Sequence, residues 1–293
     1  MKKQSNRRNF IQKAGLITAG LYSAKLFSVN ASSSEKEKCS SDNKTLNTLH
    51  NLHTTHGNFS DKEIPQEEIE QIKQACIRAA NASNMQSYSI IEIHDKVVMK
   101  NVCQYKGSYL LLFCVDFNRL IASAESLGLS YSPGDITAFI TSSINTTFAA
   151  QTAVIAARSL GIDALTTNGI HRGNIDRHWE LLNLPEKYCM PLIAVVLGYA
   201  DKQPDHKTGR LNGKEIFHQQ SYKKPSPEEL EAITLKYDDP EQHLALNPGF
   251  KEQGHDHYLQ WLFKEWLGRN ANPAEKDTPL FAQLKKRGFV ETI

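Results

Sequence analysis

Histidines, turn amides and cysteines are the chemistry-bearing residues of this chain, and their spacing restricts what they can do. His50, His53 and His56 recur at three-residue intervals, a pattern that can gather imidazoles around a metal, and His255 and His257 form a second candidate pair. In a chain with 11 histidines, chance spacing is the better account, and no metal site is expected. Cys39, Cys76, Cys103, Cys114 and Cys189 are odd in number and contain no CxxC pair. Cys76, Cys114 and Cys189 sit in apolar runs, where a buried free thiol is the ordinary reading. Ser83, Asn84 and Gln86 fall at a turn between a helix and a strand. No GxGxxG loop, phosphate-binding GxxxxGKS/T loop, nucleophile triad or pair of catalytic acids is visible.

The elements that must position these groups read as follows. Residues 141–161 contain a single charge, Arg158, in a chain in which 23% of residues are charged. They predict a helix buried on almost every side, capped by Ser142 or Ser143 and stopped by Gly161, with an Ala-rich face that lets another backbone approach. Pro65, the acids Glu67 and Glu68, and the apolar residues Ile69, Ile72, Ala75, Cys76 and Ala79 predict a second helix. Residues 89–93, 109–116 and 192–197 read as strands, and 109–116 is apolar throughout, as in a central strand covered on both faces. A short helix is expected over 175–182 and helical structure from Pro227 onward, with Trp261, Leu262, Trp266 and Leu267 at helical spacing in an arm suited to wrapping a partner subunit. Helices and strands alternate, so the class is α+β or α/β.

With 293 residues, 40% of them apolar, and a net charge of +2, the chain can bury a substantial single core. Lysines and arginines are scattered among acids without a basic stripe, which argues against nucleic acid and toward small molecules or protein as partners. At the N-terminus, Arg7 and Arg8 stand before Phe10 and an apolar run over 14–24, followed by small residues around Ala31. This resembles a twin-arginine export signal, with an apolar run too short to span a bilayer. The expected organisation is a signal segment over 1–31, a Ser- and Lys-rich linker over 32–47, and one domain over 48–293 whose last part, from about 227, is a helical extension. Export, most simply to the periplasm and without stable membrane insertion, is the expectation; a cytoplasmic location is the alternative.

Four segments, 53–65, 82–91, 181–185 and 197–210, together with the helix over 141–161, resemble the FMN-dependent nitroreductase family. The likeness is greatest to its larger NADPH-type nitro- and flavin reductases, which carry a C-terminal extension ending in a run like Leu284-Lys285-Lys286-Arg287-Gly288-Phe289. It runs in order from about Leu49 to Phe289. The resemblance implies an α+β nitroreductase-like fold, a central, mostly antiparallel sheet flanked by helices, in an intertwined homodimer with FMN at the subunit interface. It also implies a two-step exchange in which NAD(P)H reduces the flavin and a nitroaromatic, quinone or flavin-type acceptor reoxidises it. Export sits awkwardly with a soluble NAD(P)H donor, so another donor is an open alternative. Flavin N5 would carry the hydride, and no catalytic side chain is required.

By the same resemblance, the FMN phosphate falls to His53, Thr54, Thr55, His56 and Gly57, where Thr54 and Gly57 stand in place of the family's usual two arginines, and to Lys207 and Arg210. Hydroxyls and backbone amides are weaker partners for a dianion than arginine. Ser83, Asn84, Gln86 and Gln104 are expected at the edge of the flavin ring, where an amide addresses both donor and acceptor edges. Thr166, Thr167, Asn168 and Gly169 are expected against the ring, with Asn168 standing where the family has a glycine. The missing arginines also leave two other readings: a flavin-binding or sensing protein with weakened redox activity, and another flavin chemistry such as dehalogenation on the same fold.

Overall fold

The computed structural model describes residues 43–268 and 279–290. The signal-like segment over 1–31, most of the linker and Cys39 lie outside the described residues.

The apolar run becomes β2 (Tyr109–Asp116), buried from Tyr109 to Val115. It lies between β1 (Tyr88–Ile93) and β4 (Cys189–Gly198), and β4 pairs in turn with β3 (Asp163–Thr167). The order β1-β2-β4-β3 is antiparallel at every step. Alternate side chains of β2 feed two cores, as the period of two requires. Leu110, Leu112 and Cys114 pack with Val102, Trp179 and Phe289 on one face, and Leu111 and Phe113 pack with Ile69, Ile72 and Ala153 on the other. Register slips between Phe113 and Cys114, where Pro191 faces Cys114. A proline has no N–H for a central ladder, and a bulge is where it can be housed.

Seven-residue α1 (Lys44–His50) is capped by the side chain of Asn43. The Pro65 signal is followed by α2 (Gln66–Cys76), which buries Ile69, Ile72 and Cys76. Burial pushes the Cys76 thiol up to about 11, so it stays protonated and inert at neutral pH. Two further helices, α3 (Lys96–Cys103) and α4 (Asn118–Ser126), flank β2 in the chain.

The low-charge stretch is α5 (Ile136–Ser159), and it differs from the sequence reading in two respects. It begins six residues before Ser142, capped by Asp135, whose Oδ1 accepts from the Ala138 amide at 2.7 Å. Ser142 is buried mid-helix instead and donates to the Ser87 carbonyl. Nor is the helix covered all round. Its Ala149, Ala150, Ala153 and Ala157 face is buried against α2 and the sheet of the same chain, whereas Ile136, Ile140, Ile144 and Phe148 are 45%, 53%, 49% and 48% exposed. Gly161 ends the turn at φ +77°, as its position suggested.

After β3 come α6 (Arg177–Leu182), then β4, then α7 (Pro227–Asp238), which opens with a Ser226–Glu229 capping box. Four-residue α8 (Tyr258–Trp261) runs into a π-helical turn over Leu262–Leu267. The last helix, α9 (Pro279–Lys286), returns to the core, where Leu284 and Phe289 are buried and the Phe289 ring lies 5.0 Å from that of Phe139. The end of the extension is therefore part of this chain's own core. Among the described residues no helix is long and apolar enough to cross a membrane.

Candidate functional site

The segment after α1 lies along β3. The Thr55 amide donates to the Ala164 carbonyl at 3.4 Å, the Ser60 amide to the Tyr199 carbonyl at 2.8 Å and the Asp201 amide to the Asn58 carbonyl at 2.9 Å. Thr55 is 3% exposed, yet among the described residues its hydroxyl has no hydrogen-bond partner. A buried hydroxyl left unpaired costs about 1–3 kcal/mol, and such costs are found where a ligand supplies the missing partner. Thr54 and His56 are exposed. Gly57 has φ +83°, and a Cβ there would stand 2.5 Å from Cδ1 of Tyr105. The Tyr105 ring therefore occupies the space that a larger side chain at position 57 would need.

The cations divide. Lys207 Nζ donates to the His50 carbonyl at the end of α1, at 2.7 Å. Arg210 turns back on its own backbone, donating to the Thr208 and Gly209 carbonyls at 3.1 and 2.8 Å. His53 meets groups the sequence did not nominate: Nη2 of Arg158 lies 2.9 Å from its Nδ1, and Oδ1 of Asp163 lies 3.4 Å from its Nε2. The Asn51 carbonyl lies 3.2 Å from the same Nδ1, so the His53 ring stands between a donor and an acceptor at the start of this segment. Arg158 was visible in the sequence as the sole charge of its helix, and that exception was the available signal.

The second group is the turn before β1. Ser83, Asn84 and Gln86 have φ of 51°, 53° and 51°, left-handed values that non-glycine residues adopt only when the surroundings impose them. The surroundings are explicit: Asn145 Oδ1 accepts from the Ala82 amide at 3.0 Å, Asn81 Oδ1 accepts from the Gln86 amide at 2.8 Å, and Arg119 donates to the Gln86 carbonyl. Ser142 holds the Ser87 carbonyl from the same buried helix. Ser83, Asn84 and Gln86, the three ring-edge residues expected on this turn, are exposed. Asn145, 3% exposed, is the supporting residue that sequence reading missed.

The third group ends β3. Thr166 and Thr167 pair with Val195 and Ala194, and the Thr167 hydroxyl accepts from the Gly169 amide at 2.9 Å. Asn168 has φ −98°, so the backbone there does not need glycine. Gln104 caps α3 in the left-handed region at φ 68°, next to Tyr105. The loop beyond Gly169 is pinned by two imidazoles: His171 lies 2.9 Å from the Pro191 carbonyl, and fully buried His178 lies 2.8 Å from the Ile170 carbonyl. Burial holds both below the ordinary histidine range. A depressed pKa means the folded state resists protonation that the unfolded chain accepts below about pH 6.5. Stability from these two groups is thus complete above that pH and is lost as pH falls through the folded-state values. Unfolding titrations at pH 7.5 and 5 should show the drop, and it should shrink in His171→Gln; an unchanged drop in that variant would contradict the assignment.

Bonds and contacts thus join 50–57, Tyr105, β3, Arg158 and Lys207 into one cradle. No hydrogen bond among the described residues joins the turn over 81–86 to it. The turn hangs on Asn145 and the cradle on Arg158 of the same helix, thirteen residues and about 20 Å of helix axis apart.

No family model matches the chain. An NAD(P)H FMN reductase of Bacillus subtilis is 30% identical over 199 residues, 64% of this chain and 77% of that protein. An oxygen-insensitive NADPH nitroreductase of Salmonella typhimurium is 30% identical over 226 residues, 73% of this chain and 89% of that protein. The chain belongs to the nitroreductase family. The solved structure of NfrA2 from B. megaterium superposes on this nitroreductase-family chain with a TM-score of 0.70 at 23% identity, covering 86% of this chain and all of that one (100%). That likeness places the sheet and helices described above in the nitroreductase fold.

Proposed function

We propose that this chain is an FMN-dependent oxidoreductase that takes electrons from NAD(P)H and passes them to nitroaromatic, quinone or flavin-type acceptors. The observation that carries the reading is the Thr55 hydroxyl, buried and unpartnered in a cradle that also holds Lys207, in a chain of this family. These residues fit a phosphorylated flavin: a cation, a spare hydroxyl and the amides of His56 and Gly57, which donate to no protein acceptor among the described residues. When bound, FMN supplies the hydride-transfer chemistry. The protein binds the phosphate end at the cradle and holds polar groups of the Ser83–Gln86 turn and of Gln104 toward the ring. The turn is rigid because α5 and α4 hold its strained backbone, so its donors need no reorganisation on binding.

The working unit is a homodimer in this reading. The exposed apolar stripe of α5 requires a cover, and the turn, tied to the same half of α5, then serves a site completed by the partner's cradle. The Arg7-Arg8 leader further supports export of the folded protein, to be tested by cell fractionation with both arginines changed to lysine; an unaltered distribution would reject that route. For the activity, the purified protein should be yellow with an oxidised-flavin spectrum that NADPH or NADH bleaches anaerobically and a quinone or nitroaromatic restores. A colourless protein that takes up no added FMN would overturn the assignment.

A further inference from the structure

We infer that Arg158, working beside Lys207, is the guanidinium that recognises the phosphate of FMN, a role the sequence alone would give to Arg210. The inference rests on the cofactor assignment above. A phosphate monoester is close to a dianion at neutral pH and is held best by charge-assisted bonds, above all from a guanidinium fork. Neither Thr54 nor Gly57 can supply one, and position 57 has no room for a longer side chain beneath Tyr105. Arg210 donates to the carbonyls of its own neighbours, Thr208 and Gly209.

Arg158 reaches the cradle from the last turn of α5. Its Nε donates to the Asn51 carbonyl at 3.1 Å, one residue beyond the His50 carbonyl that Lys207 meets at 2.7 Å. Two cations from distant parts of the chain therefore place their heads on consecutive carbonyls, at the start of the segment that carries the unpaired Thr55 hydroxyl. The Arg158 side chain is 22% exposed, so its head is not sealed in.

Asp163 pairs with Arg158 at 2.9 Å but does not saturate it. Its carboxylate also accepts from the Ala200 amide and from Gln203 Nε2, each at 2.9 Å. Lys207 has no acidic partner among the described residues. Arg158, Lys207 and Asp163 together leave one net positive charge. Of the five N–H groups of the guanidinium, Asn51 and Asp163 engage two and His53 at most one more among the described residues, which leaves at least two for phosphate oxygens.

The test compares FMN with riboflavin, which lacks only the phosphate, by titration of the apo-protein. Arg158→Met should weaken FMN by about 30-fold, the scale of a lost charge-assisted pair, while riboflavin affinity stays within about threefold. Arg158→Lys, which keeps the charge and loses the fork, should fall between, and Arg210→Met should leave both affinities near wild type. Inorganic phosphate should compete with FMN in wild type and lose that effect in both Arg158 variants, a readout available from Arg158→Lys even if Arg158→Met does not fold. Equal weakening of FMN and riboflavin would mean that Arg158 only ties α5 to β3, and unchanged FMN affinity would exclude it from the site; either result overturns the inference. Failure of wild type to bind FMN at all would instead overturn the cofactor assignment, and this inference with it.

Discussion

Arg287→Ala is expected to lower the free energy of unfolding by about 3 kcal/mol, measured by denaturant titration. The side chain is 1% exposed, which for an arginine demands that nearly every donor be answered. Nη2 donates to Asp176 at 2.6 Å, Nη1 to both the carboxylate and the carbonyl of Glu186, and Nε to Gln283 at 3.2 Å. The guanidinium also lies 3.6 Å from the centre of the Trp179 ring. Its two carboxylate partners remain partly in water, with Asp176 37% and Glu186 75% exposed, so truncation does not strand a buried charge. The cost arises instead from the cavity, the lost stacking and the lost anchor of α9.

Asp176 is the hub of that anchor. Lys286 at 2.7 Å and Gln283 at 3.0 Å join Arg287 on its carboxylate, and the Lys286 bond in particular holds it below the usual carboxylate range. The network is therefore complete at neutral pH and fails only in strong acid, as pH falls through that lowered value. It spans the chain from the loop after β3 to the C-terminus, and losing it frees Phe289, which packs on Phe117, Phe139 and Tyr188. Arg287→Met, which keeps much of the volume, should cost clearly less than Arg287→Ala. A loss under about 1 kcal/mol for alanine would show that the network contributes no net stability.

Local pattern made much of this fold legible. The uninterrupted apolar run is β2 to the residue, Pro65 lies immediately before α2, and Pro227 opens α7, because each signal is a property of adjacent residues. The start of α5 was misplaced because Ser142 and Ser143 look like caps, while Asp135, seven residues before Ser142, performs the capping. Which face of α5 meets its own chain was not legible either: alanine marks close approach without saying to what. The same limit applied to the site. Residues contiguous in sequence, at 53–57 and 83–86, could be nominated, but Arg158, Tyr105 and Asn145 enter through contacts made more than 45 residues away in sequence, which no spacing encodes. Arg158 nevertheless carried one mark, as the sole charge of its helix, whereas Asn145 stands among many Ser and Thr and carried none.

That helix also carries the last expectation. On the homodimer proposed above, Ile144→Glu should give a monomer and strip its flavin at once, seen as a halved mass by sedimentation and a lost visible spectrum. Ile136, Ile140, Ile144 and Phe148 recur every fourth residue, so they form one stripe along α5, and Phe139 and Leu192 extend it into a shallow apolar groove. In a two-fold dimer each residue of the patch is used twice. Burying one isoleucine contributes about 1.5–3 kcal/mol, and replacing two copies with facing glutamates removes that and adds repulsion, enough to raise the dimer dissociation constant by more than about a hundredfold. The monomer itself should fold normally, because Ile144 is about half exposed and takes no part in either core of the chain. Flavin loss then follows only if the Ser83–Gln86 turn of one protomer completes the cradle of the other. A monomer that still holds FMN would keep the dimer surface but reject the shared site, and an undissociated dimer would reject the surface itself.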